Sequence, residues 1–363
     1  MAASGLGGRR TSAGRFFTFF TLNAVSCSYS SPLFISLRRW CRLVSDRRFR
    51  RRFRESHRLP RCWGFVCNLT DDDGGNEVAR FVPTSSFRPP VADHRGWLAL
   101  DARHGRVLLC REPGSDLVVW DPMTDERREL PALPLDDPWP YIWKAAVLCA
   151  AHGACDHLDC HHGPFLVVFI DVIAEQIIVY VYSSEAGAWS EPTNGPDFLE
   201  YFPNRARTAL VGNALYFVLE ETSGILKYDL AAGDSSFIEI SGGYANFAVL
   251  MTMEDGELEF ARVESSLFVW EMEEVDPEGD DGWLRVIELE MMLPDDALPM
   301  LSYFLGLVHG IGLFYVGTDD GLFTMDPKSN QVRKVCSDSK ICSAVPYMSF
   351  YTPDFSQYGL VPV

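Results

Sequence analysis

From residue 61 onward, apolar positions fall in short runs separated by turns that contain Gly, Asp or Asn. Trp97-Leu-Ala-Leu-Asp101, Arg106-Val-Leu-Leu-Cys110 and Leu117-Val-Val-Trp120 are the first clear examples. Runs this short, bounded by turn formers, predict β-strands rather than helices. The plainest stretch reads NALYFVLE, the turn ETSG, ILKYDL, the turn AAGD and SSFIEI, which predicts three antiparallel strands in a meander. LFYVGT, DDG, LFTMD, PKSN and QVRKV repeat that plan near the other end of the chain, with the hydrophobic period of 2 that belongs to strands.

One strand type recurs with a register mark. It reads VVWDP at Trp120, VYVYSS at Tyr182, LKYDL at Tyr228, LFVWEM at Trp270 and LFTMDP at Met325, at spacings of 62, 46, 42 and 55 residues. The mean, about 51, falls at the period of kelch-like propeller blades. About six such units fit into residues 61–363. Asp121, Asp229 and Asp326 directly follow the mark, where a carboxylate can accept backbone N–H groups two residues on and fix a turn. A small sheet of this kind has two apolar faces and is not stable alone, and radial stacking buries both. A β-sandwich of several hairpins is the competing architecture. The expected fold is therefore mainly β, a kelch-like β-propeller of about six blades.

Ahead of the strands the pattern is helical. In Ser36–His57, Leu37, Trp40, Leu43 and Val44 fall on one helical face, Phe49 and Phe53 continue it, and Ser45-Asp46 can end one short helix and cap the next. Residues 36–60 are thus expected to be a small α-helical element whose opposite face is Arg-rich. Its apolar stripe requires a neighbour, either the strand-rich body or a partner. Residues 1–35 have no acidic residue, carry Arg9, Arg10 and Arg15, and mix Ser and Thr with Phe16, Phe17, Phe19 and Phe20. They read as an irregular leader, with an organelle transit segment as the alternative.

Charge sharpens this division. The formal net charge of −18 over 363 residues combines +12 in residues 1–61 with −30 in the remainder. An acidic body repels phosphate backbones and anionic lipid, which argues against nucleic acid or a membrane surface as its ligand and leaves proteins as the expected partners. No apolar run approaches the roughly 18 residues needed to span a bilayer. The ten cysteines are spread without paired spacing, which fits reduced thiols and a cytoplasmic or nuclear protein. Asn68-Leu69-Thr70 has the form of a glycosylation acceptor and reads as a chance match.

Chemistry-bearing motifs are few. CAAHGACDHLDCHH gathers Cys149, His152, Cys155, His157, Cys160, His161 and His162, ligand types that suit zinc, but its spacing matches a zinc finger only loosely. A loop before the strand Phe165–Phe169 is the competing reading, and neither metal nor cofactor is assigned. No nucleophile elbow, zincin motif, phosphate loop or dinucleotide fingerprint is present. The acidic run Glu271–Asp281 reads as a solvated turn rather than a carboxylate pair for hydrolysis. No catalytic residue is assigned, and the expectation is a non-enzyme. Trp139, Tyr141 and Trp143, in LDDPWPYIW, are candidate anchors for a protein ligand, or else staples holding a loop to a blade edge.

Together the two halves resemble a known family. LRRWCRLVSDRRFRRRFRESH, residues 37–57, resembles the second half of an F-box as found in large plant, especially grass, families, with Trp40, Leu43, Ser45, Asp46, Phe49 and Phe53 matching. GWLALDARHGRVLLC, LVVWDP, CDHLDCHHGPFLVVF, VYSSEAGAWS and GNALYFVLE resemble the propeller-like regions of those proteins. The Leu-Pro-rich first half of an F-box has no counterpart in residues 1–35. The resemblance implies a substrate-recognition subunit of a Skp–cullin–F-box ubiquitin ligase. Leu37, Trp40, Leu43 and Val44 would face the Skp-type adaptor, and residues 61–363 would hold a protein substrate. A propeller scaffold or decoy without adaptor binding is the alternative.

Overall fold

Strands that alternate between two buried faces account for the apolar runs of this chain. The computed structural model describes residues 61–349 except 71–76, 112–115, 136–142, 152–154, 156, 158–159, 161, 174–175, 198–207, 220–223, 240–247, 253–257, 264–266, 272–284, 288–303, 309–310 and 327. All described residues belong to one compact unit, Arg58–Tyr351. Every regular element among them is a strand. The helix expected over 36–60 and the leader 1–35 lie outside the described residues, as do the adaptor-facing candidates Leu37, Trp40, Leu43 and Val44.

The strands form six antiparallel sheets. The second sheet contains β4 (Leu98–Arg103), β5 (Arg106–Arg111), β6 (Asp116–Asp121) and β7 (Glu126–Glu129) in sequence order. The third contains β8 (Trp143–Cys149), β9 (Phe165–Ile173), β10 (Gln176–Ser183) and β11 (Ala188–Trp189), with β12 (Thr193–Asp197) also on β10. The fourth is β13 (Thr208–Val211), β14 (Ala214–Leu219), β15 (Gly224–Asp229) and β16 (Asp234–Glu239). The fifth, described chiefly through its backbone pairing, is β17 (Ala248–Thr252), β18 (Leu258–Val263), β19 (Leu267–Glu271) and β20 (Arg285–Ile287). The sixth is β21 (Phe304–Val308), β22 (Leu313–Thr318), β23 (Gly321–Asp326) and β24 (Gln331–Cys336).

The first sheet is built differently, in the order β25 (Ile341–Ser349), β1 (Arg61–Thr70), β2 (Glu77–Pro83) and β3 (Asp93–Arg95). β25 occupies the position that the opening strand holds in the other sheets, and it pairs with β1 from Arg61↔Ser349 to Leu69↔Ile341. It packs beside β4, β4 beside β8, β17 beside both β13 and β21, and β21 beside β25. The first and last strands of this unit are therefore zipped into one sheet, which leaves no open edge between them.

The cores lie between sheets, and the period of 2 deals side chains to them alternately. In β5, Val107 and Leu109 join the core shared with the first sheet, whereas Leu108 and Cys110 join the core shared with the third. β6 does the same, with Val118 and Trp120 on one side and Leu117 and Val119 on the other. In β8, Ala145 and Val147 face the second sheet while Ala146 and Leu148 face the fourth. A strand buried on both faces needs apolar residues at consecutive positions, which is why VLLC and LVVW read as continuous runs. The outer strand β7, ERRE, is exposed throughout, and charge there discourages pairing with another sheet edge.

Each register mark lies on the third strand of its sheet, namely β6, β10, β15, β19 and β23. Trp120, Tyr182, Tyr228 and Met325 are all buried. The carboxylates that follow make the expected turns. Asp121 accepts the Met123 N–H at 2.8 Å, Asp229 accepts Ala231 and Ala232 at 2.8 and 3.0 Å, and Asp326 accepts Lys328 at 2.9 Å. Backbone donors hold the Asp229 carboxyl below the usual range; at Asp326 the Ser329 hydroxyl does most of this. Burial raises Asp121 instead.

Candidate functional site

β8 carries a sequence-derived candidate at each end. Its seven residues separate Trp143 from Cys149 by about 20 Å at the rise of an extended strand. Trp143 and Cys149 therefore mark opposite ends of the third sheet's opening strand.

At the first end, Trp143 is half-buried and stacks on Phe169 with centroids 5.3 Å apart and planes 13° from parallel. Phe169 meets Trp189 edge-on at 6.4 Å, and Trp189 meets Tyr182 at 5.5 Å. The Trp189 indole N–H donates to the Pro131 carbonyl at 2.9 Å, tying the segment after β7 to the third sheet. Trp143 thus presents a partly covered ring on a rigid aromatic stack. Trp139 and Tyr141 lie outside the described residues.

At the other end the chain leaves β8 at Cys149 and returns at Phe165. The base of the loop is closed by Ala150 N–H donating to the Pro164 carbonyl at 3.0 Å. Within it, Gly163 N–H donates to the Cys160 carbonyl at 2.9 Å, and His157 N–H donates to the Cys155 sulfur at 3.4 Å. The loop brings Cys149, Cys155, His157 and Cys160 together, with one ligand atom from each all within 4.8 Å of one another. Cys149 and Cys160 are buried, and burial pushes the Cys155 and Cys160 thiols up. No disulfide joins Cys149, Cys155 or Cys160.

The second sheet supports this loop. The hairpin between β4 and β5 turns through His104 and Gly105, at φ of 54° and 78°, the left-handed pair that a two-residue turn requires. This places the His104 ring against His157, stacked at 4.1 Å, with its Nδ1 accepting the Cys149 N–H at 3.1 Å. Burial lowers the His104 pKa well below the ordinary value, so the ring is neutral. Arg106 donates to the Cys160 and Gly163 carbonyls at 2.6 Å each, and its guanidinium lies 5.2 Å from the centre of the Phe165 ring.

Two buried polar links that sequence reasoning missed fix the inner strands. Asp101 on β4 accepts the Val147 N–H of β8 at 3.0 Å and lies 3.5 Å from Arg103. Arg103 donates to the carbonyl of Thr208 on β13 and to its hydroxyl at 2.7 Å. Asn68, in the sequence that resembles a glycosylation acceptor, is 4% exposed and has its side-chain amide bonded to Ala99 and Ser343.

Radially packed antiparallel sheets of four or five strands, closed by a strand from the far end of the unit, define a β-propeller. Residues 99–302 match the family described as F-box protein AT5G49610-like, beta-propeller, over more than half of the chain, and the protein belongs to that family. The F-box/kelch-repeat protein At3g61590 of Arabidopsis thaliana is 23% identical over 192 residues, covering 52% of this chain and 46% of that protein. The match thus spans about half the length of this relative. Among solved structures, a functionally unknown protein from Desulfotomaculum acetoxidans aligns at 12% identity and a TM-score of 0.45, covering 78% of this chain and 89% of that one. A fungal alcohol oxidase of the AA5 family in complex with copper aligns at 12% identity and 0.42, covering 78% and 64%. Among the described residues, no helix is long and apolar enough to cross a membrane.

Proposed function

We propose that this protein is a non-catalytic substrate-recognition subunit of a Skp–cullin–F-box-type ubiquitin ligase, acting in the cytoplasm or nucleus. The single observation that carries this reading is the match of residues 99–302 to an F-box β-propeller family. In this reading the domains are 36–60, a partial F-box element that docks on the adaptor, and 61–363, a propeller of about six blades that holds a protein substrate. Leu37, Trp40, Leu43 and Val44 supply the adaptor-facing stripe. Trp139, Tyr141 and Trp143 supply aromatic anchors, a residue type that concentrates binding energy when a partner desolvates it. The acidic body favours a substrate with a basic or apolar face over nucleic acid.

Affinity purification of the full chain from plant cells tests this directly. Adaptor and cullin should co-purify, and W40A with L43A should release both while leaving the thermal transition of the propeller in place. If the intact chain brings down neither, the ligase role fails. Retention of other specific partners under that outcome would identify a scaffold or decoy.

A further inference from the structure

We propose that Cys149, Cys155, His157 and Cys160 bind one structural Zn²⁺ ion that fastens the loop between β8 and β9. Four ligand atoms already lie within 4.8 Å of one another. A tetrahedral ion with Zn–S bonds of 2.3 Å has ligand-to-ligand edges of about 3.8 Å, so small side-chain movements close the site. Three sulfurs and an imidazole are a soft donor set that selects zinc over magnesium or calcium. Four protein ligands leave no position for substrate, which makes the role structural.

The surroundings fit such an ion. Cys149 is anchored at the end of a core strand, whereas Cys155, His157 and Cys160 come from a loop with few apolar residues of its own. Three thiolates and one neutral imidazole around Zn²⁺ leave a net charge of −1. Arg106 sits where that charge needs a partner, holding the backbone carbonyls of Cys160 and Gly163. The Cys149 N–H is engaged by His104, whose ring also covers one face of His157. Outer groups that orient ligands in this way are a regular part of zinc sites. The ion would fasten the loop to the end of β8, in the position where His104 and Arg106 of the second sheet contact it, independently of whether residues 36–60 bind an adaptor.

The test uses the full chain without a histidine tag, purified under reducing conditions from zinc-supplemented cells. Elemental analysis should give about one zinc per chain. C155S and C160S should each lower this at least fivefold, while H162A, outside the cluster, should keep it. Replacement by Co²⁺ should give the absorption of tetrahedral thiolate coordination, lost in H157A. Far-ultraviolet circular dichroism identifies variants that keep the strand fold. A wild-type content below about 0.2 zinc per chain, an unchanged content in folded C155S and C160S, or a disulfide within the loop in the zinc-supplemented protein would overturn the proposal.

Discussion

Replacing Asn68 with Ala removes the polar staple between the first two sheets. Asn68 Nδ2 donates to the Ala99 carbonyl and to Ser343 Oγ, and Asn68 Oδ1 accepts the Ala99 N–H, all at 2.8 Å. The side chain therefore faces Ala99 as one more strand residue would, beside the bulge that shifts β4–β5 pairing between Ala99 and Asp101. N68A leaves the N–H and C=O of Ala99 without these partners in a buried setting. Each stranded group costs about 1–3 kcal/mol, so a loss of roughly 3 kcal/mol is expected after partial relaxation. At about 2 °C per kcal/mol for a unit of this size, the thermal midpoint should fall by roughly 6 °C. S343A removes only one of the three bonds and should cost about 1 kcal/mol. N68D keeps the acceptor but sets a carboxylate oxygen against the Ala99 carbonyl, and should be at least as damaging as N68A. Differential scanning fluorimetry on the three variants decides the matter. An N68A midpoint within about 1 °C of the parent, or an N68D protein as stable as the parent, would falsify the staple.

A second prediction concerns pH. His94 is buried at 4.1 Å from the Trp120 ring, and its pKa is lowered to about 4 by burial and then by Arg127, with Asp125 and Asp93 opposing. Well above pH 6.5 the imidazole is neutral folded or unfolded and adds no pH dependence. As pH falls from 6.5 toward 4 the unfolded chain takes up a proton that the fold refuses, so stability drops by up to about 3 kcal/mol. His104 is shifted in the same direction, so H94F should remove only part of the slope in denaturant midpoints across that window; an unaltered slope contradicts this account. A third comparison sets two strand glycines against each other. A Cβ at Gly306 would overlap the ring and hydroxyl of Tyr315, which is fully buried, whereas a Cβ at Gly224 would meet the outer end of the Phe237 ring, which is 41% exposed. G306A should therefore cost about 2–3 kcal/mol and G224A under about 1 kcal/mol in urea unfolding, and the opposite order would refute the packing argument.

The sequence by itself determined the repeating strand. Trp120, Tyr182, Tyr228, Trp270 and Met325 could be aligned because each ends an apolar strand run, and after Trp120, Tyr228 and Met325 an aspartate fixes the following turn. These constraints are local, so they are written in consecutive residues. The boundaries of β14, β15, β22 and β23 were legible for the same reason, with the turn residues marking their ends.

Tertiary structure alone decided what pairs across long separations. No local pattern joins β1 to β25, and the first sheet carries no copy of the register mark, because its strands come from opposite ends of the unit. Asn68 stood in the sequence only within a chance glycosylation-type match and Arg103 in no motif, until the fold set Asn68 against Ala99 and Arg103 against Thr208 of β13. The Cys/His loop shows the same division. Its residue types were visible, but spacing could not choose four ligands from seven candidates, since irregular loops have no period. Among the five described candidates, the end of β8 and the His104 turn bring four together, by fixing Cys149 in space and setting an imidazole face against His157.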